Sequence, residues 1–351
     1  MKILFKHPFF IRLRSWEYWN RSLIYAPVYP FWVWLSIKAR SFFFLTAANP
    51  KIKNGGFIME SKKDIYDQLP DHLYPPTCHF DVRTDYDHVI SSINSKHILF
   101  PVIAKPDYGE KGVAVKKIIN EVELKDYVMR MPVPFMIQRY VDYENEVGIF
   151  YYRMPGSEKG NISGIVSKYP VAVKGDGLQT VRQLAKKNNR YVLQWKHIEK
   201  LNKEMLDQIP AGGETVVLFP YGNHCRGSLF IDDSIKITPG LEQTIDAISR
   251  QIPEFYYGRL DIKFKDWSCL ESGKEFSVIE VNGSGSEPTH IYDPAHSIFF
   301  AWKEIVKHWR ILYRISKANQ RRGNAFISTR QGQADMKSFR NIYDQLSAQH
   351  W

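Results

Sequence analysis

Two segments in the last third of the chain alternate as strands do. Residues 258–264 read Gly-Arg-Leu-Asp-Ile-Lys-Phe, which puts Arg259 and Asp261 on one face and the apolar residues on the other. Residues 276–282 repeat the period and put Glu280 and Asn282 on a common face. Upstream, a short apolar run at 100–106 ends in Lys105 and Pro106. The stretch 107–115 then carries Gly109 and Gly112 into a further apolar segment, and Met-Ile-Gln-Arg-Tyr-Val follows at 136–141. Ile305, Val306, Trp309, Leu312, Tyr313 and Ile315 fall near helical spacing and predict an amphipathic helix. Residues 23–37 are apolar, but Pro27 and Pro30 interrupt them and the run is too short for a standard membrane-spanning helix. The polar stretch after Arg322 predicts a flexible tail.

Charge divides the chain into three. Residues 1–53 hold nine Lys/Arg and one acid, residues 303–322 hold seven and one, and residues 323–351 hold three and two, so with the chain at +11 the middle, 54–302, is left at −4. A nucleic-acid enzyme concentrates its basic surface on the catalytic domain, so no nucleic-acid partner is expected. Basic flanks on an acidic middle point instead to an anionic membrane surface. The first flank also crowds Trp16, Tyr18, Trp19, Tyr25, Tyr29, Phe31, Trp32, Trp34 and Phe42 to Phe44 together. Residues 1–50 therefore read as an interfacial or re-entrant anchor, with packing on the core or on a partner subunit as the competing reading. Aromatic bulk and prolines argue against a signal peptide. The three cysteines, Cys78, Cys225 and Cys269, lack metal spacing and fit a reducing, cytoplasmic compartment. Cys225 follows His224, and neighbours on a strand face opposite ways, which argues against a nucleophile pair.

The candidate chemistry sits on the alternating segments. Asp261, Glu280 and Asn282 offer three oxygen donors from adjacent strands, a set that suits Mg²⁺ with phosphates. Gly109 and Gly112 permit a loop whose backbone N–H groups fold over phosphate oxygens, and Lys105 adds a point charge. The chain has no G-x-x-x-x-G-K-[ST] loop.

The order of these parts resembles the ATP-grasp ligases: lysine strand, glycine loop, 136–141, then G-R-L-D and I-E-V-N. The nearest likenesses are to D-alanine–D-alanine ligase and to the ATP-grasp part of cyanophycin synthetase. Residues 171–184, with G-D-G at 175–177, and the stretch N-H-C-R-G-S-L-F-I-D at 223–232 are similar to motifs of the latter group. The resemblance implies an α+β fold of two subdomains clasping ATP over residues 51–302, with 1–50 and 303–351 as flanks. It assigns Lys105, and Lys62 or its neighbour Lys63, to the phosphates under the loop of Gly109 and Gly112. Gln138, Arg139, Tyr140 and Val141 match the adenine hinge. Glu146 matches the ribose acid, with Glu144 as its rival. Asp261, Glu280 and Asn282 match the metal ligands. Arg259 matches the arginine that steadies an acyl phosphate and its adduct.

The implied activity joins a carboxylate to an amine, or to a thiol, through an acyl phosphate. It uses ATP and two Mg²⁺ ions, with Mn²⁺ as an alternative, at the inner membrane face; an oligomer is allowed. Ser284, Ser286, Glu287, Thr289 and His290 would line the acceptor end, and 49–56 forms a turn-rich connector beside it. The ligases place a whole domain before the lysine strand, whereas here about fifty aromatic and basic residues stand in its place. Two other classes compete: a membrane-associated nucleotide-binding regulator without turnover, and a soluble ligase whose aromatic end is a dimer interface.

Overall fold

The computed structural model describes residues 7–110, 112–201, 203–219 and 222–349, together with all their side chains but that of Cys225. Fourteen α-helices occur among them, of which six position the site. These are α2 (Arg21–Tyr25), α3 (Tyr29–Ala39), α4 (Lys62–Tyr66), α11 (Pro239–Arg250), α13 (Ile298–Arg321) and α14 (Thr329–Ser347), numbered after α1 (Pro8–Arg14) in the full chain order.

The strands form three antiparallel sheets, and the architecture is α+β, as expected. A four-stranded sheet has the order β1 (Thr77–Phe80), β4 (Phe135–Arg139), β2 (Val102–Pro106), β3 (Lys116–Ile118). A five-stranded sheet has the order β11 (Phe276–Asn282), β10 (Tyr257–Phe264), β5 (Asn145–Tyr152), β6 (Asn161–Tyr169), β9 (Leu229–Asp232). The third is the hairpin of β7 (Val171–Lys174) and β8 (Thr215–Phe219).

Period two explains the large sheet. Leu260, Ile262 and Phe264 of β10, with Val147, Ile149 and Tyr151 of β5, turn to its back, where Leu241, Ile245 and Ile248 of α11 cover them in the largest core cluster. The front is divided. Phe150 and Tyr257 lie under α13 and the N-terminal segment, in a cluster with Leu35, Phe44, Leu45, Leu312 and Ile315. Glu146, Arg259 and Asp261 instead face a cavity of about 550 Å³ between the two larger sheets.

The structure bears on three expectations. Much of the aromatic surface of residues 1–50 packs on the core, the competing reading of that segment, and this packing does not test the interfacial one. The Trp302 indole donates to the Ile24 carbonyl at 2.8 Å and the Trp16 indole to the His296 carbonyl at 2.7 Å, while Trp32 lies against Phe44 and Trp309. Among the described residues no helix is long and apolar enough to cross a membrane. The flank expected to start at 303 starts at Ile298, and its amphipathic helix lays Ile305, Leu312 and Ile315 on the core. Finally, the expected flexible tail is helix α14. Ser328 caps its start, and it straps the N-terminal segment to the small sheet. Asn54 donates to Asp335 at 3.0 Å, Phe43 lies over Gly332, and Leu346 enters the core of the small sheet. These contacts are few and widely spaced, so the polar composition concealed them.

Candidate active site

Strand register assembles the site. Asp261 pairs with Glu280 and Arg259 with Asn282 across β10 and β11, so all four share the front face. Lys263 pairs with Glu146, and Asp261 with Gly148, across β10 and β5. A glycine at 148 is needed there. A Cβ would lie 3.0 Å from the Arg259 side chain and 3.1 Å from an Asp261 oxygen, so the strand gives up its side chain to admit theirs.

The buried charges are paired. Arg259 donates to both Asp261 oxygens, Nε to Oδ1 at 2.7 Å and Nη2 to Oδ2 at 3.0 Å. Lys168, on β6, reaches Asp261 Oδ2 at 3.0 Å and Glu146 Oε1 at 3.1 Å. The Asp261 and Lys168 side chains are only 4% and 5% exposed. Burial pushes the Asp261 carboxyl up, but the adjacent Arg259 and Lys168 charges outweigh it and hold it below the usual carboxylate range. Two cations and two carboxylates thus neutralise one another.

Three further groups face this cluster. Glu280 is half-exposed, with Lys62 Nζ at 3.8 Å. Lys62 also donates to the Gly109 carbonyl at 3.0 Å, while Lys63 pairs with Asp67 at 2.5 Å in solvent. Of the two lysines, Lys62 is the one in the cavity. Lys105 is buried and meets only neutral acceptors: the Tyr66 hydroxyl at 3.0 Å, Gln138 Oε1 at 3.0 Å and the Ile279 carbonyl at 3.1 Å. Among the described residues its charge therefore has no carboxylate to cancel it at contact distance.

The remaining expected residues divide. Gln138, Arg139, Tyr140 and Val141 line the cavity where β4 ends, and Lys117 stands 3.8 Å over the Tyr140 ring. Glu146 lines it too, whereas Glu144 is exposed on the surface. Gly109 and Gly112 form its roof. The Arg226 guanidinium donates to the Gly112 carbonyl at 2.8 Å, closing the loop against residues 222–226. That stretch holds a single 3-10 turn, His224–Arg226, rather than the expected strand, and the Cys225 side chain lies outside the described residues. Ser286, Glu287 and Thr289 line the far end. Ser284 and His290 do not; His290 is buried with its Nε2 3.5 Å from Glu304.

Several cavity residues were missed by sequence reasoning. Lys168 is the clearest, and its signal was present: the one charged residue of β6, near the strand's end. Glu60 gave no signal. Neither did the wall of Glu17, Trp19, Arg21 and Ile24, which the N-terminal segment contributes. The connector at 49–56 does border the site. Asn49 is fully buried and bonds the backbone of Gly55, Tyr256 and Tyr257. Gly56 lies so close to Gly283 that a Cβ would fall 2.6 Å from its Cα.

Among the described residues no three His, Cys, Asp or Glu side chains cluster to hold a metal. The donor set in the cavity is two carboxylates and an amide. Asn282 would offer its Oδ1; its buried Nδ2, a donor without a partner among the described residues, calls for an acceptor such as a phosphate oxygen and not for the metal. Glu280 fits with only a distant lysine. Asp261 reaches a metal by exchanging one of its two cations for it. A hard divalent ion suits oxygen donors of this kind.

No protein-family model matches the chain, and no curated protein does. The chain is similar in fold to solved ligases. A bifunctional glutathione synthetase from Pasteurella multocida matches at 16% identity over 75% of this chain and 38% of its own, with a TM-score of 0.40. A D-alanine–D-alanine ligase from Bacillus anthracis matches at 14% over 74% and 67%, at 0.40. The VanG D-Ala:D-Ser ligase from Enterococcus faecalis matches at 12% over 72% and 61%, at 0.41. Superpositions this loose carry no argument about activity, which has to come from the residues of the cavity itself.

Proposed function

We propose that this chain is an ATP-dependent ligase of the ATP-grasp type, joining a carboxylate to an amine or thiol at an anionic membrane surface. One observation carries the reading. A single cavity holds a self-neutralised cluster, Arg259–Asp261–Lys168–Glu146, beside Lys105, which meets no carboxylate at contact distance among the described residues, and Lys62, whose carboxylate partner Glu280 stands 3.8 Å away. Such a cluster is poised for exchange. An anion placed on Arg259 and Lys168, with a cation on Asp261, Glu280 and Asn282, swaps partners and leaves no buried charge alone.

ATP supplies the phosphoryl group; Asp261, Glu280 and Asn282 would hold Mg²⁺, which would supply neutralising charge for the phosphates. The chain does the positioning. Gln138 to Val141 border the base and Glu146 the ribose. Lys62 and Lys105 give fixed positive charge for the phosphates. Transfer of the γ-phosphoryl group to the substrate carboxylate yields an acyl phosphate and ADP. The amine then attacks the carbonyl carbon, the C–O bond to phosphate breaks, and inorganic phosphate leaves. Arg259 holds the oxyanion of the adduct with a planar fork of donors. The Gly112–Arg226 contact excludes water, to which an acyl phosphate is vulnerable.

Support for the membrane comes from α3. Its inner positions Leu35, Ser36 and Ala39 are buried, yet Trp34 and Ile37 on its other side are 49% and 68% exposed, beside exposed Lys38 and Arg40. A helix apolar on both faces with cations at its end suits an anionic interface.

Replacing Glu280 by Gln tests the central claim, because it removes a ligand charge beside the phosphates. Mg²⁺–ATP turnover with an amino-acid mixture is expected to fall on the order of 10²-fold or more. Equal ADP formation by both proteins overturns the metal assignment.

A further inference from the structure

A second cavity, of about 720 Å³, opens where the ends of α3 and α13 meet the start of α14. It shares no lining residue with the active-site cavity. Three cations line it, Lys38, Arg40 and Lys317, and no Asp or Glu does. Among the described residues none of the three forms an ion pair. Lys38 Nζ stands over two rings, 4.4 Å from that of Trp34 and 5.8 Å from that of Tyr313. Lys317 donates to a neutral acceptor, Gln320 Oε1, at 2.5 Å. Arg40 is exposed and closes α3 in the left-handed region, at φ 56°, where glycine or asparagine costs less.

Helix ends do not use up this charge. The C-termini of α3 and α13 bring roughly half a negative charge each, and the N-terminus of α14 roughly half a positive one, which leaves roughly two and a half positive charges. Hydroxyl groups complete the lining. Ser41 Oγ accepts from the Phe43 N–H and Ser328 Oγ from the Gln331 N–H, each at 3.1 Å. Both hydroxyls thus accept from the backbone, and among the described residues neither donates its own proton. Cations and hydroxyl donors without a carboxylate call for an oxyanion with several oxygens.

We propose that this cavity takes the phosphate headgroup of an anionic phospholipid, whose acyl chains lie alongside Trp34, Ile37 and Phe42. The proposal deepens the membrane half of the function proposed above and rests on it. Lys38 joins the two parts, because its ammonium lines the cavity while its contact with Trp34 ties it to the exposed apolar stripe of α3. Tryptophan prefers the headgroup level of a bilayer, which is where a lipid phosphate sits. A free phosphate would engage the same cations but leave that stripe in water, so charge and apolar surface together favour the lipid. Lys317 makes the site more than a charged surface. It is half-buried on α13, against which the inner face of α3 packs through Leu35 and Ala39. A flat anionic surface on the outer face of α3 does not need Lys317, whereas a headgroup entering the cavity does.

The test is co-sedimentation of the full chain with phosphatidylcholine vesicles made anionic, to equal surface charge, by phosphatidic acid or by oleate. Oleate offers a carboxylate with two oxygens and no projecting phosphate. Retention on the phosphatidic acid vesicles should be roughly tenfold tighter, the scale of a charge-assisted bond. Lys317→Gln and Arg40→Asn should each remove that preference and leave binding at the oleate level; asparagine is chosen at 40 because it accepts the left-handed backbone. Glycerol 3-phosphate added in solution should lower retention of the wild type on phosphatidic acid and not on oleate. Equal retention on the two vesicles, or a preference that survives in both variants, overturns the site and leaves only general surface charge. If calorimetry shows inorganic phosphate binding to the wild type and not to Lys317→Gln, while no vesicle retains the wild type, the ligand is a free phosphate and the lipid assignment is wrong. Mg²⁺–ADP affinity is measured on every protein. Unchanged affinity in the variants shows that the fold is intact, and a wild type that binds no Mg²⁺–ADP sinks the ligase reading while leaving the lipid site standing.

Discussion

The front of the large sheet houses polar groups in two opposite ways. At the cavity end, Arg259, Asp261, Lys168 and Glu146 stay charged because each has a partner of opposite sign at 2.7 to 3.1 Å. Under α13, at the covered end, the His308 ring lies 1% exposed against Phe150, with only the Tyr257 hydroxyl at 3.3 Å from its Nδ1 and no partner for its Nε2. Burial, reinforced by the nearby His290, drives its pKa down to about 3, so it stays neutral. One region keeps its charges and can trade them. The other keeps the His308 ring neutral beside a single buried carboxylate, Glu304, which Lys307 pairs at 2.9 Å. Chemistry is expected where charges are paired and exchangeable.

Breaking the paired region has the largest expected effect. Asp261→Asn leaves Arg259 and Lys168 buried with one carboxylate fewer. Removing one partner of a buried pair costs about 3–5 kcal/mol, far more than the net worth of the pair. Denaturant unfolding should read that loss, and turnover should vanish with it. A change below about 1 kcal/mol means water already reaches the cluster, and the contrast between the regions is weaker than drawn.

Arg259→Lys separates chemistry from stability in the same cluster. Lysine keeps the charge facing Asp261 but loses the fork that meets both oxygens. Nucleotide affinity should stay near that of the wild type while ligation falls roughly 10²-fold, the scale of a lost oxyanion donor. Loss of nucleotide binding, or unchanged ligation, rejects the role given to Arg259. A nucleotide-binding regulator would show no such split, having no transition state to stabilise.

The two regions also differed in how far the sequence revealed them. A strand has a period of two, so Arg259, Asp261, Glu280 and Asn282 could be put on one face without coordinates, and the register adds only which one faces which. Lys168 was as legible in principle, but its partners come from β5 and β10, about 20 and 90 residues away in sequence. The N-terminal segment was opaque for a physical reason. In α3 both faces are apolar, so periodicity cannot tell the buried stripe of Leu35 and Ala39 from the exposed one of Trp34 and Ile37. The wall containing Arg21 depends on a contact with residues more than 260 positions away, which no local pattern encodes.

The covered end should be more sensitive to mild acid than the cavity end. The folded-state pKa of His308 lies near 3, and an unfolded histidine titrates near 6.5. Between those values the unfolded chain takes up the proton and the folded one does not, so stability present above pH 6.5 is lost as pH falls. From pH 6.5 to 4.5 the loss should be about 2.5 kcal/mol, and His308→Phe should flatten that slope. Asp261 behaves differently: its folded carboxyl is depressed, so its stabilisation persists through this window and fades only at lower pH. An unchanged slope in His308→Phe shows that the ring is not the group responsible.

The smallest expected change in stability is on the outer stripe of α3, and it bears on what that stripe faces. Ile37 is 68% exposed, so Ile37→Ser should alter unfolding by no more than about 0.5 kcal/mol, whereas Leu35→Ser, on the inner face and 1% exposed, should cost several times more. Anionic vesicles reverse that ranking. If the stripe enters an anionic interface, the wild type co-sediments with vesicles at low salt and is partly released at high salt, as expected where nearby Lys38 and Arg40 contribute roughly 1 kcal/mol each. Ile37→Ser then weakens retention about fivefold, the scale of roughly 1 kcal/mol for an isoleucine that is only partly buried at the interface. A wild type that stays in the supernatant, with a mass that doubles as concentration rises, assigns the stripe to a second copy of the chain instead. In that case it is dimerisation that Ile37→Ser should impair, with the cavity and its charge exchange left as they are.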